Sequence, residues 1–237
     1  MVDKGDKEGT TALHRAARFG RIDVLKYLIS QGAEVNKTDK SGWTALHRAA
    51  FNSQIDVINN LISGGADVNK EAKDGRTALD IAASDCHIDV IKYLVSKGAD
   101  INKEAKVGAE AVEDNNGRTA IHSAASNGHI CVIEYLISQG VEVNKEDSNG
   151  WAALHIAADD GDIEVIKCLI SNGAEVNKGN NDGQTALHIA AEMGHIDAIK
   201  YLINEGVEVN KEDNNGRNAI HIAASNGHID AIKYLIK

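Results

Sequence analysis

Two short apolar patterns alternate along this chain. Between Asp39 and Lys70, Thr44 precedes a run holding the small pair Ala49 and Ala50; a second run then carries Ile55, Ile58, Leu61 and Ile62. The second spacing puts one apolar stripe on a helix whose other face is polar. A threonine hydroxyl at the head of the first run supplies an acceptor for free backbone amides, which predicts a helix over about Ala45 to Phe51 capped by Thr44. Gly64 and Gly65 follow the second run, as Gly32 and Gly173 do elsewhere, and permit the left-handed residue that ends a helix.

The paired pattern returns down the whole chain. Its copies register on tetrapeptides starting at Thr11, Thr44, Thr77, Thr119, Ala152, Thr185 and Asn218, at intervals of 33, 33, 42, 33, 33 and 33 residues. A period of this size marks stacked repeats, none of which buries its apolar face alone. The period, with TALH, GHID and GAEVN in register, resembles the ankyrin repeat over nearly the entire chain. That resemblance implies an all-α solenoid of helix-turn-helix units, with projecting β-hairpin turns and a concave binding face. We expect one domain over residues 1–237, with repeats opening near 6, 39, 72, 114, 147, 180 and 213. The Asn-Gly pairs at Asn116, Asn149 and Asn215 are expected to supply the positive backbone dihedrals of the hairpins.

Two features depart from the family pattern. The family commonly sets proline after the capping threonine, but this chain has none and puts alanine there, from Ala12 and Ala45 to Ala219. Proline is preorganised at that position, so these first helices are expected to fray more easily. The long interval signals an insertion of nine residues within about 105–113, expected to be an accessory contact. At the ends, Arg15 stands where later copies have Ile156, Ile189 and Ile222, which suits an uncovered face. Ile232, Leu235 and Ile236 stay apolar, so the last repeat is expected to be truncated from a longer array.

Charge narrows the classes of partner. The net charge is -10, with about +2 on residues 1–70 and -12 on the remainder. An acidic body repels phosphate backbones, so nucleic acid is not expected as a partner. No apolar run is long enough to cross a bilayer, and no membrane insertion is expected. Cys86, Cys131 and Cys168 fall at three different repeat positions, suggesting neither a disulfide framework nor a metal site; a cytoplasmic, intracellular location follows.

Candidate chemistry dissolves into the repeat. His14, His47, His122, His155, His188 and His221 hold the TALH position, and His87, His129, His195 and His228 start second helices. The resemblance gives the TALH histidine an architectural role, bonded to the threonine and to hairpin backbone. Asp80 replaces it in the third copy and reads as a local irregularity. The segment 179–185, GNNDGQT, lacks the lysine of a phosphate loop and follows no strand. Asp159, Asp160, Asp162 and Glu164 lack the spaced oxygens of a calcium loop and suit a helix start instead. A nucleophile with its base needs one pocket, whereas Thr and His recur here down a rod. The chain is therefore expected to be no enzyme, with no catalytic residue, no cofactor and no metal.

What remains are the variable positions, on the hairpins and near the ends of the first helices, which in the family line the binding face. The candidate partner-binding residues are Arg18, Phe19, Trp43, Phe51, Arg76, Asp85, Arg118, Trp151, Asp159, Asp160, Gln184, Met193 and Arg217. Trp43 and Trp151 share one hairpin position with Arg76, Arg118 and Arg217, and tryptophan and arginine dominate binding hot spots. Stacking on a neighbouring hairpin would explain each indole equally well. Phe19 and Phe51, expected as copies of one helix position, would form an apolar patch with Trp43 beside Arg15, Arg18 and Arg48, suited to an extended ligand with apolar and acidic residues. Asn36, Asn69, Asn102, Asn144, Asn177 and Asn210 sit where similar repeats undergo asparaginyl hydroxylation. The expected function is noncatalytic protein or peptide binding by a monomer, unless the apolar C-terminal end docks. The alternative is a structural spacer or elastic segment of a longer array.

Overall fold

The computed structural model describes residues 2–104 and 117–236. The expected insertion at 105–113 lies outside them. Among the described residues there are helices and turns but no strand. The first helices are α1 (Ala12–Arg18), α3 (Ala45–Phe51), α5 (Ala78–Ser84), α7 (Ala120–Ser126), α9 (Ala153–Asp160), α11 (Ala186–Met193) and α13 (Ala219–Ser225). The second helices are α2 (Ile22–Ser30), α4 (Ile55–Ser63), α6 (Ile88–Ser96), α8 (Ile130–Ser138), α10 (Ile163–Ser171), α12 (Ile196–Asn204) and α14 (Ile229–Leu235). The expected boundaries of α3 hold to the residue.

The chain divides into two compact units, 1–120 and 121–237. In the first, α1 packs on α3 and α3 on α5, while α2 packs on α4 and α4 on α6. The alanine pair permits the first contact: Ala49 and Ala50 are fully buried, leaving room for neighbouring backbones to approach. Ile58 and Leu61 on α4 are also fully buried. Each such side chain contributes roughly 1.5–3 kcal/mol on leaving water. The second unit repeats the scheme, with α9 on α11, α11 on α13, and Ile166, Leu169, Ile199 and Leu202 buried.

The second helices from α2 to α12 end as their glycine predicts. Gly32 has φ +82°, and the amides of Gly32 and Ala33 donate to the carbonyls of Ile29 and Leu28. This paired closure satisfies carbonyls that the helix leaves free.

The hairpins differ from expectation in one respect. The glycine alone takes the positive dihedral, φ +76° at Gly150 and +73° at Gly216, and neither Asn149 nor Asn215 does; Asn116 lies outside the described residues. The turn is instead built by the residue that opens it. Oδ1 of Asp39 accepts from the amides of Ser41 (2.9 Å) and Trp43 (3.0 Å), while the Asp39 amide donates to the Trp43 carbonyl at 2.9 Å. Asp147 and Asp213 do the same. An aspartate side chain mimicking a backbone turn relieves the next residues of any need for positive φ. Segment 179–185 is such a hairpin, closed by the Asn180 amide on the Gln184 carbonyl.

Candidate protein-binding surface

Hydrogen bonds across repeats hold the hairpins in register. The TALH histidine uses both ring nitrogens: His14 Nδ1 bonds the Thr11 hydroxyl at 2.8 Å, and His14 Nε2 reaches the Trp43 carbonyl of the next hairpin at 2.9 Å. His47 reaches Arg76, and His188 reaches Arg217, in the same way. Burial holds His14, His155 and His188 below the usual imidazole range and His47 down at about 4, so they act as neutral struts. Among the described residues Asp80 keeps only the local half of this role, accepting from the Thr77 amide at 2.8 Å and hydroxyl at 2.7 Å. Its burial raises it to about 6.

Other recurrent polar residues are struts as well. His87, His195 and His228 each bond a carbonyl of the preceding repeat, on Phe51, Asp159 and Glu192 respectively. The Asn36 side chain donates to the Gly65 carbonyl at 3.0 Å and accepts from the Asp67 amide at 2.8 Å. Asn69 and Asn144 repeat that clamp one loop further on. Consecutive hairpins are joined directly as well, Lys40 N to Glu8 O at 2.9 Å and Asn214 N to Asp182 O at 2.9 Å. Asp162 caps α10 by accepting from Glu164 and Val165.

On this scaffold the candidate binding residues fall into two groups. One group is half-buried or held by a neighbouring side chain. Trp43 is half-buried, with its ring 6.0 Å from that of His47, edge to Phe51 at 5.8 Å, and beneath the Arg48 guanidinium at 4.5 Å. Trp151, also half-buried, lies 6.2 Å from His155. Arg76 pairs with Asp74 at 2.7 Å, and Arg217 with Asp213 at 2.8 Å. Arg118 is half-buried, Gln184 reaches Glu192, and Asp159 is half-exposed. The other group faces solvent: Arg18, Asp85 and Asp160, with Phe19, Phe51 and Met193 exposed to 56%, 48% and 49%.

The aromatic patch needs a correction. In the 33-residue register Phe51 corresponds to Arg18, and Asn52 to Phe19, so the two phenylalanines are not copies of one position. Phe51 packs on Trp43, whereas Phe19 lies under the Arg18 guanidinium at 5.4 Å. Two features escaped the sequence reading. Arg48 is anchored at 2.6 Å to the buried carboxylate of Asp39. A pocket of about 90 Å³ opens between Thr10, His14, Arg15, Arg18, Phe19 and Arg48. Its signal was Thr10, a small residue in the register position of Trp43.

The family profile for ankyrin repeats (three copies) matches residues 1–72, 36–105, 106–180 and 159–237. The chain belongs to the ankyrin repeat family. Among solved structures it is similar to the crystal structure of the human ASB11 ankyrin repeat domain, at 26% identity and a TM-score of 0.79. The match covers 95% of this chain and 97% of that one. No curated protein matches. Ankyrin repeats are generally protein-interaction modules, and the struts described above are the architecture on which such modules vary their exposed positions. Among the described residues no helix is long and apolar enough to cross a membrane, and no group of three His, Cys, Asp or Glu side chains is placed to hold a metal ion.

Proposed function

We propose that this chain is a noncatalytic protein-binding module. It works as a single ankyrin repeat domain that takes a protein or extended peptide on a concave face formed by hairpin tips and first-helix ends. The observation that carries this reading is the segregation of side chains. Recurrent histidines, asparagines and capping threonines are consumed in holding repeats together. The exposed Phe19, Phe51 and Met193 all lie at or just beyond the ends of first helices. These large apolar side chains left in water, with Arg18, Asp85 and Asp160 also exposed at or just beyond first-helix ends, resemble the anchors and polar rim of an interface. An interface of standard size would cover on the order of 800 Å² per partner. Cys86, Cys131 and Cys168 are not joined in disulfides, which favours a reducing, intracellular setting.

A structural spacer is the second reading, favoured by one observation: both indoles and two of the hairpin arginines are engaged within their own repeats. Affinity capture from cell extract separates the two. The proposed role predicts a partner retained by the native chain and lost with Phe51→Asp/Met193→Asp, at unchanged helicity. A partner set identical for both chains would argue against the assigned face. Capture of nothing by either would favour the spacer.

A further inference from the structure

Repeats one and two are built alike where they differ most in sequence. The Thr10 amide bonds Asp6 Oδ1 at 3.0 Å and the Thr10 carbonyl accepts from the Asp6 amide, as Trp43 does with Asp39. Arg15 pairs with Asp6 at 2.9 Å as Arg48 pairs with Asp39 at 2.6 Å. In repeat two the indole of Trp43 fills the space bounded by His47, Arg48 and Phe51. Thr10 has no ring to fill the matching space over His14 and Arg15. What remains is the pocket of about 90 Å³, well above the roughly 10–15 Å³ that one water needs. Its walls are those that hold an indole one repeat later: an imidazole, a guanidinium fixed by a carboxylate, and an aromatic ring, here supplied by Phe19.

We propose that this pocket is an acceptor site for an aromatic side chain of a partner protein, with an acidic residue next to it in the partner's sequence. The site deepens the protein-binding reading and rests on it. The ring would enter between His14 and Arg15 and take up cation–π contact, as Trp43 does beneath Arg48. The acidic requirement comes from Arg18. Arg15 and Arg48 have carboxylate partners, whereas Arg18 touches the Phe19 ring and has no carboxylate partner among the described residues. A carboxylate beside the inserted ring completes it with a charge-assisted pair, partly shielded by Phe19. The rim of the pocket thus carries one positive charge beyond its paired carboxylates, on a chain whose net charge is -10. A polyanion such as nucleic acid meets that overall repulsion at every phosphate, while a peptide with one or two acidic residues does not.

The test is selection of phage-displayed random dodecapeptides on the full chain, followed by fluorescence anisotropy of fluorescein-labelled winners. Thr10→Trp is the diagnostic variant, since it places in the pocket the residue that repeat two already accommodates; Arg18→Glu reverses the rim charge. We expect winners in which Phe, Tyr or Trp adjoins Asp or Glu, bound at least tenfold more weakly by each variant at unchanged circular dichroism. Winners lacking that pairing, winners indifferent to Thr10→Trp, or no enrichment at all would overturn the proposal. So would displacement of the peptide by micromolar single-stranded oligothymidine. Peptides indifferent to Thr10→Trp but lost with Phe51→Asp would sink this pocket and leave the broader binding role standing.

Discussion

The imidazole of His47 is locked neutral by Thr44: the Thr44 amide, which can only donate, points at Nδ1 from 3.0 Å, so Nδ1 accepts and the proton stays on Nε2, facing the Arg76 carbonyl at 3.2 Å. A second proton on Nδ1 would oppose that amide. Burial therefore holds His47 at about 4, against 6.5 in an unfolded chain. Between those values the unfolded chain binds the extra proton and the folded one does not. Stability is full above pH 6.5 and falls as pH drops toward 4, by about 3 kcal/mol once complete. His14, His155 and His188 act in the same direction. Urea midpoints should decline from pH 7 to 4.5; an unchanged midpoint would refute the neutral-strut account.

Asp80 predicts the opposite slope. Its folded value of about 6 lies above the usual 3.8, so the folded chain holds the proton more tightly through that window. Ionisation therefore costs stability as pH rises from 3.8 to 6, and the cost persists above it. Asp80→Asn keeps an oxygen for the Thr77 amide and hydroxyl but carries no charge. We expect it to stabilise the fold by about 1–3 kcal/mol at pH 7 and to be neutral below pH 4, read from urea titrations at both pH values. A destabilised variant at pH 7 would show that the carboxylate charge is favourable there.

Ser53 has φ +54° at a position where the third repeat places Cys86, at φ +58°, and five other repeats place Gly20, Gly128, Gly161, Gly194 and Gly227. A side chain in the left-handed region costs roughly 1 kcal/mol that glycine avoids. Ser53→Gly should raise the thermal midpoint by a few degrees. A lowered midpoint would mean that the Ser53 side chain makes a contact worth more than the strain.

These residues also mark how far the sequence carries. Helix positions were legible because Ile55, Ile58 and Leu61 follow helical spacing and Thr44 and Gly65 bracket the pair. Recurrence without exception but Asp80 marked the TALH histidines as part of the repeat, and the ankyrin resemblance implied their strut role. The Asn-Gly reading of the hairpins missed, because an aspartate side chain closes a turn without changing the local pattern that Asn-Gly presents. The fate of the indoles was not legible either. Whether Trp43 faces a partner or its own repeat depends on Arg48, whose position is set by the buried Asp39, nine residues earlier. The empty counterpart at Thr10 follows only when both repeats are laid on the same backbone.

The central claim is that partners dock on the first-helix ends. Its most direct measurement places a photo-crosslinking benzoylphenylalanine at Phe51, at Met193 or, as control, at Tyr27, which is 65% exposed on a second helix. After irradiation in cell extract, adducts are separated by mass. The account predicts a common protein adduct from the Phe51 and Met193 positions and none from Tyr27. Adducts from Tyr27 alone would place the interface on the second helices and contradict it.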